Sequence, residues 1–129
     1  MPGRLGTAEE LNAFLDRLDP EVFCACIDLG HARLVYSDPA DFIRKIGLPR
    51  LQSLHVQDTY YLLDAHTLPY LGKQNWDDIT SALAEVGYAG DFTLEVFLFL
   101  GAFPQNSLSD ALQLAYTVGR GLIEKIEKA

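Results

Sequence analysis

The sequence predicts an α/β fold: about three parallel strands with flanking helices, arranged as one arc of a barrel. Three observations carry this reading. Helical and strand patterns alternate along the chain with short connections, as in repeated right-handed crossovers. Three apolar runs of strand length, Val22 to Ile27, Leu51 to Val56 and Phe92 to Val96, each bring an acid or imidazole to their carboxyl end, at Asp28, His55 and Glu95. If those three share one face, Cys24, Cys26, Ser53 and Thr93 share it too, while Phe23, Ala25, Ile27, Leu54, Phe92 and Leu94 take the other. A small, mildly polar face opposite a greasy one suits the inside and outside of a barrel better than an open sheet covered on both sides.

Each element has its own signal. Thr7-Ala8-Glu9-Glu10 is a capping box, and Leu11, Phe14, Leu15 and Leu18 follow at the spacing of one buried stripe, so a first helix is expected over about residues 8 to 18. The Val22 to Ile27 strand comes next. Asp38-Pro39 then places a cap before proline at the first helical position, opening a helix that buries Phe42, Ile43 and Ile46 and stops at Gly47. After the Leu51 to Val56 strand, Asp64 to Gly72 reads as a loop rich in turn formers. Asn75 caps a helix with Trp76, Ile79, Leu83 and Val86 on one face, ended by Gly87. Phe92 to Val96 is the third strand, and Val96 to Leu100 reads as strand plus lid or as an interface. The last helix runs from about Ser109, with Leu112, Ala115, Val118, Leu122 and Ile126 along one side.

Composition limits the function. The 129 residues suit a single domain, 1–129, with a real core. No apolar stretch approaches the roughly 20 residues that span a bilayer, and no signal-peptide core follows Met1, so no membrane partner and a cytoplasmic setting are expected. The net charge is −8, without a basic stripe, which argues against a nucleic-acid partner. Arg44-Lys45 reads as a solvated helix face. Cys24 and Cys26 lack the spacing of a bridge, a zinc site or a redox pair and read as small core residues.

The chemistry-bearing residues cluster in a few motifs. These are Asp28-Leu29-Gly30-His31, Leu54-His55-Val56-Gln57-Asp58, Asp64-Ala65-His66-Thr67-Leu68-Pro69 leading through Gly72 to Trp76, and Gly87-Tyr88-Ala89-Gly90-Asp91-Phe92-Thr93-Leu94-Glu95. All three histidines of the chain lie in them. Carboxyl ends of adjacent parallel strands converge on one patch, so Asp28, His55 and Glu95 are expected to meet as a metal site. Each also has a plainer reading: Asp28 as a helix cap, His55 as a satisfied core histidine. A carboxylate at Glu95, between Leu94 and Val96, is costly unless paired. Asp58 and Asp64 read as loop and capping residues, and Tyr60, Tyr61 and Trp76 as packing aromatics.

In their joint order, over about residues 4 to 98, these motifs resemble the C-terminal half of the xylose isomerase-like TIM barrels, a superfamily of sugar and sugar-phosphate isomerases and epimerases that also includes the type 2 apurinic endonucleases. The resemblance implies a partial (β/α) TIM barrel. It makes Asp28, His55 and Glu95 ligands of a divalent metal ion, with manganese listed first and magnesium, cobalt or zinc as alternatives. It puts His31 on the substrate with a catalytic role, His66 beside it, and makes Glu95 an acid/base as well. A further glutamate ligand stands, in that family, just before a segment like Pro2-Gly3-Arg4-Leu5-Gly6-Thr7-Ala8-Glu9-Glu10. The chain begins after that point, so the fourth ligand and about five of the eight barrel strands are expected to be absent. An arginine that often follows the histidine matching His55 in the epimerases has no counterpart, since Tyr60 and Tyr61 stand there.

The reaction so implied is proton abstraction beside a carbonyl, with metal-polarised oxygens and an enediolate, on a small sugar or sugar phosphate. Three hypotheses stand. One is the C-terminal part of a metal-dependent sugar isomerase or epimerase. Another is an apurinic endonuclease-like hydrolase, for which Asp64-x-His66 resembles the additional zinc ligands. The third is a catalytically inactive partial barrel that acts through association. The chain alone is expected to be inactive, and to form a homodimer or join a complementing half-barrel, because three strands leave open edges.

Overall fold

The computed structural model describes residues 5–35, 37–60 and 62–129. The capping box forms as read: Thr7 accepts from the Glu10 amide, Glu10 reaches back to the Thr7 amide, and α1 spans Ala8–Leu15. Strand β1 (Ala25–Asp28) runs straight into a short helix α2 (Leu29–Leu34), followed by α3 (Pro39–Ile46) and β2 (Leu51–Val56). A hairpin of β3 (Asp58–Tyr60) and β4 (Leu63–Thr67) precedes α4 (Trp76–Glu85) and β5 (Asp91–Leu94). Helix α5 (Phe97–Gly101), a 3₁₀ turn (Gln105–Ser107) and the long α6 (Leu108–Lys128) complete the chain.

The sheet has the order β1-β2-β5, all parallel, with Asp28 opposite His55 and His55 opposite Thr93. One face is packed by helices: Ala25, Ile27, Leu51, Leu54 and Val56 are buried among Phe42, Ile43, Ile46, Ile79, Leu83 and Leu122. The other face, carrying Cys26, His55 and Thr93, is open. This is the inside/outside asymmetry of a barrel wall, and the fold is an α/β partial TIM barrel. None of the described helices is long and apolar enough to cross a membrane.

Several expectations need correcting. Val22 and Phe23 are 70% and 51% exposed and do not belong to β1. Their amides close a turn onto the Asp19 carbonyl, and ladder pairing starts only where the Ala25 amide meets the Arg50 carbonyl at 2.8 Å. Helix α1 stops at Leu15 and leaves Phe14 exposed, although Leu11 and Leu18 pack against the core. Cys24 and Cys26 are free and exposed, because they share parity with Asp28 and so face the open side. Val96 to Leu100 is helical beyond Val96. Unbroken Phe and Leu have no period that separates strand from helix. In α6 the buried seam is Ala111, Ala115, Gly119 and Leu122, with Leu112 half-exposed. The small residues let the helix approach the sheet, and a Cβ on Gly119 would already lie 3.3 Å from Leu94. Tyr61 and the Pro2 to Arg4 part of the N-terminal segment lie outside the described residues.

Arg44 and Lys45 are solvated, as read, but engaged. Arg44 reaches Glu85 and Asp78 at 2.7 Å each, tying α3 to α4, and those partners raise its pKa. Lys45 pairs with Glu9 and Asp41. Such exposed pairs contribute little stability.

Candidate functional site

The carboxyl end of the sheet positions the site. Asp28 is the last residue of β1, His55 the penultimate residue of β2, and Glu95 follows β5, where its amide continues the ladder by donating to the Val56 carbonyl at 2.9 Å. Register therefore delivers all three to one patch. One oxygen or nitrogen from each of Asp28, His55 and Glu95 lies within 4.8 Å of the other two. Glu95 Oε2 sits 3.2 Å from His55 Nδ1, yet this buried oxygen accepts no hydrogen bond among the described residues. An unpartnered buried carboxylate oxygen beside an imidazole and a second carboxylate is a donor set that fits a divalent cation.

Asp28 also fills its plainer role. Its Oδ1 caps α2 by accepting from the His31 amide at 2.9 Å, while Oδ2 lies 2.9 Å from His31 Nδ1. The cap swings the His31 ring over the strand end, where it is half-exposed. From there the polar groups continue without a gap: His31 Nε2 is 3.2 Å from Asp64 Oδ2, and Asp64 Oδ1 is 3.2 Å from His66 Nε2. His66 Nδ1 in turn lies 3.3 Å from the Glu95 carbonyl oxygen. His31, Asp64 and His66 thus form a second group with ligand atoms within 4.8 Å, edge to edge with the first. The His31 and His66 rings meet in a T-shape at 5.3 Å, and Phe97 of α5 covers His66 at 4.4 Å.

Asp64 and His66 reach this place because they lie on β4, which pairs with β3, and not in a loop. Thr59 Oγ1 donates to the Leu63 carbonyl between the two strands, and Asp58 pairs with Thr67. Asp58 is more than a loop former. It is fully buried, and its carboxylate accepts from the Thr59, Tyr70 and Gln74 amides and from Trp76 Nε1. Trp76 is a packing aromatic, as read, and Tyr60 is exposed. The sequence reading passed over Gln57, which is fully buried and points its amide nitrogen at Asp28 and His66.

With this geometry in view, comparison with known proteins gives a consistent answer. The family model described as "Xylose isomerase-like TIM barrel" matches residues 1–116. An uncharacterized protein, y4fM, of Sinorhizobium fredii is 33% identical over 70 residues, which is 54% of this chain and 22% of that protein. A D-psicose 3-epimerase of Enterocloster bolteae is 31% identical over 97 residues, 75% of this chain and 30% of that enzyme. The chain therefore spans less than a third of the length of either relative. The crystal structure of a D-tagatose 3-epimerase-like protein superposes with a TM-score of 0.69 at 21% identity, covering 94% of this chain and 43% of that one, a likeness of fold. The chain belongs to the xylose isomerase-like TIM-barrel family.

Proposed function

We propose that the chain carries the metal-binding and acid/base groups of a sugar isomerase or epimerase, with Asp28, His55 and Glu95 holding a divalent ion and a free ketose as substrate. The observation that carries this reading is the convergence of those three residues at adjacent parallel strand ends, with an unpartnered Glu95 oxygen among them. The similarity to a D-psicose 3-epimerase supports the substrate class. When bound, such an ion polarises a carbonyl and its neighbouring hydroxyl, which acidifies the carbon-bound proton between them. Glu95 takes that proton, its side chain being one-third exposed toward the open face. His31 binds a sugar hydroxyl at the rim, and His66, buried behind it, holds Asp64 and the Glu95 backbone in place.

Epimerisation through such a proton transfer needs carboxylates on opposite faces of the sugar, and Asp28 and Glu95 stand on one face of one sheet. The 129-residue chain by itself is therefore expected to bind D-psicose in the presence of manganese, more weakly after His31→Ala, with negligible turnover. Calorimetry and a ketohexose epimerisation assay measure both. Robust turnover that disappears in Glu95→Gln would contradict the two-face account. The second group, His31, Asp64 and His66, favours an alternative, a hydrolase of the apurinic endonuclease type using further metal ions, which the net charge of −8 opposes. Metal-dependent cleavage of abasic DNA with no ketose binding would move the assignment there.

The open sheet face and the exposed Phe97, Leu98 and Phe103 further support association, either as a two-fold dimer or with a complementing half-barrel. Sedimentation at micromolar concentration is expected to show a species larger than one chain. A strictly monomeric, well-folded protein would contradict this.

A further inference from the structure

We propose that Gln57 is the positioning residue of the site: its side-chain amide joins the two groups, orienting the Asp28 carboxylate and fixing which ring nitrogen of His66 carries the proton. The part concerning Asp28 rests on the metal-binding reading above; the part concerning His66 does not.

Gln57 follows β2, one residue after Val56, and is fully buried. Its Nε2 lies 3.2 and 3.4 Å from the two oxygens of Asp28 and 3.4 Å from His66 Nε2. One amide hydrogen thus serves the carboxylate and the other the imidazole. The backbone around it is built to admit the side chain. A Cβ on Gly30 would lie 2.4 Å from Gln57 Cδ, so at that point of α2 only glycine leaves room for the amide. The Gln57 carbonyl accepts from Gln74 Nε2 at 2.7 Å, which pins the residue from its other side.

The consequence for His66 follows from what each partner can do. The Glu95 carbonyl oxygen, 3.3 Å from His66 Nδ1, only accepts, so Nδ1 carries the proton. His66 Nε2 is then an acceptor, and the Gln57 amide is the donor that satisfies it. Without that donor, Asp64 Oδ1 at 3.2 Å competes for a proton on Nε2, which would turn the ring into a donor there. Gln57 therefore keeps His66 Nε2 unprotonated at the junction of the two groups. For Asp28, the same amide holds a carboxylate already committed to capping α2, and groups that orient a metal ligand in this way change affinity by about ten- to hundredfold.

Gln57→Met tests both parts, because it keeps the volume and removes the donor. Nitrogen-15 shifts of the His66 ring, read in the metal-free protein at pH about 9 where imidazoles are neutral, report the tautomer. Wild type is expected to show the proton on Nδ1, and Gln57→Met a shift toward Nε2. An Nε2 proton already in wild type, or an unchanged ring in the variant, would overturn the tautomer role with no metal involved. Calorimetric titration of manganese is expected to show affinity about tenfold or more weaker in Gln57→Met, in a protein whose cooperative unfolding shows that it is still folded at the titration temperature. Affinity within twofold of wild type, in a protein whose His55→Ala variant loses binding, would overturn the Asp28 role. Absence of binding in wild type would instead overturn the metal reading, and the ring shifts would still decide the role of Gln57 toward His66.

Discussion

Asp58→Ala is expected to lower the stability of the chain by about 2 kcal/mol or more, since each buried donor left without its partner costs about 1–3 kcal/mol and two of the four donors it holds, the Thr59 amide and Trp76 Nε1, are buried. Oδ1 accepts from the Thr59 and Gln74 amides at 2.8 and 3.1 Å, and Oδ2 from the Tyr70 amide and Trp76 Nε1 at 3.0 and 2.8 Å. One carboxylate thus fastens the start of β3, the connection after β4 and the start of α4. Water cannot replace it, because Asp58 is fully buried and the loop wraps it closely. A Cβ on Gly72 would lie 2.1 Å from Oδ1, so Gly72→Ala attacks the same hub from outside. Against a typical total of about 5–15 kcal/mol the loss is large. Urea denaturation measures it, and near-wild-type stability of Asp58→Ala would show that the connection is held by something else.

Where side-chain period and backbone caps agreed, the fold was legible. The spacing of Phe42, Ile43 and Ile46 between Asp38-Pro39 and Gly47 gives α3 at its observed bounds, and Asn75 gives the start of α4. Strand β2 is legible because its apolar run is bounded by Pro49-Arg50 and by Asp58. Legibility failed where a local signal was silent or double. Leu29 to Leu34 is too short to show a helical period, and only the cap hydrogen bond to the His31 amide reveals that a helix begins there. The β3-β4 hairpin has no Asn-Gly or Asp-Gly turn, so Asp64 and His66 looked like loop residues.

The site was more legible than the fold around it. Parallel strands bring their carboxyl ends together whatever the connections do, so Asp28, His55 and Glu95 could be grouped from position alone. The joining of that group to His31, Asp64 and His66 through Gln57 was not legible. It depends on the α2 turn, the hairpin and the close approach of Gly30, all tertiary features. The face shared by Cys24, Cys26, Ser53 and Thr93 was assigned correctly, but calling the cysteines core residues contradicted it, since that face is open.

The second large effect is expected at His55, the middle member of the group, which lies opposite Asp28 in the ladder and 3.2 Å from Glu95. Removing its ring leaves two carboxylates facing each other across a gap, with no neutral donor to complete the set. Wild type is expected to bind manganese weakly, because the described group offers only three side chains. His55→Ala should lose at least about a hundredfold in affinity, more than a group that merely orients a ligand would cause. Glu95→Gln should follow it, whereas His66→Ala, which alters the second group, should retain most of the binding. Calorimetric titration of manganese into wild type and His55→Ala is the direct measurement. The account predicts a saturable site in wild type that is lost in the variant, and equal binding by both proteins would remove His55 from the site and contradict the proposed centre.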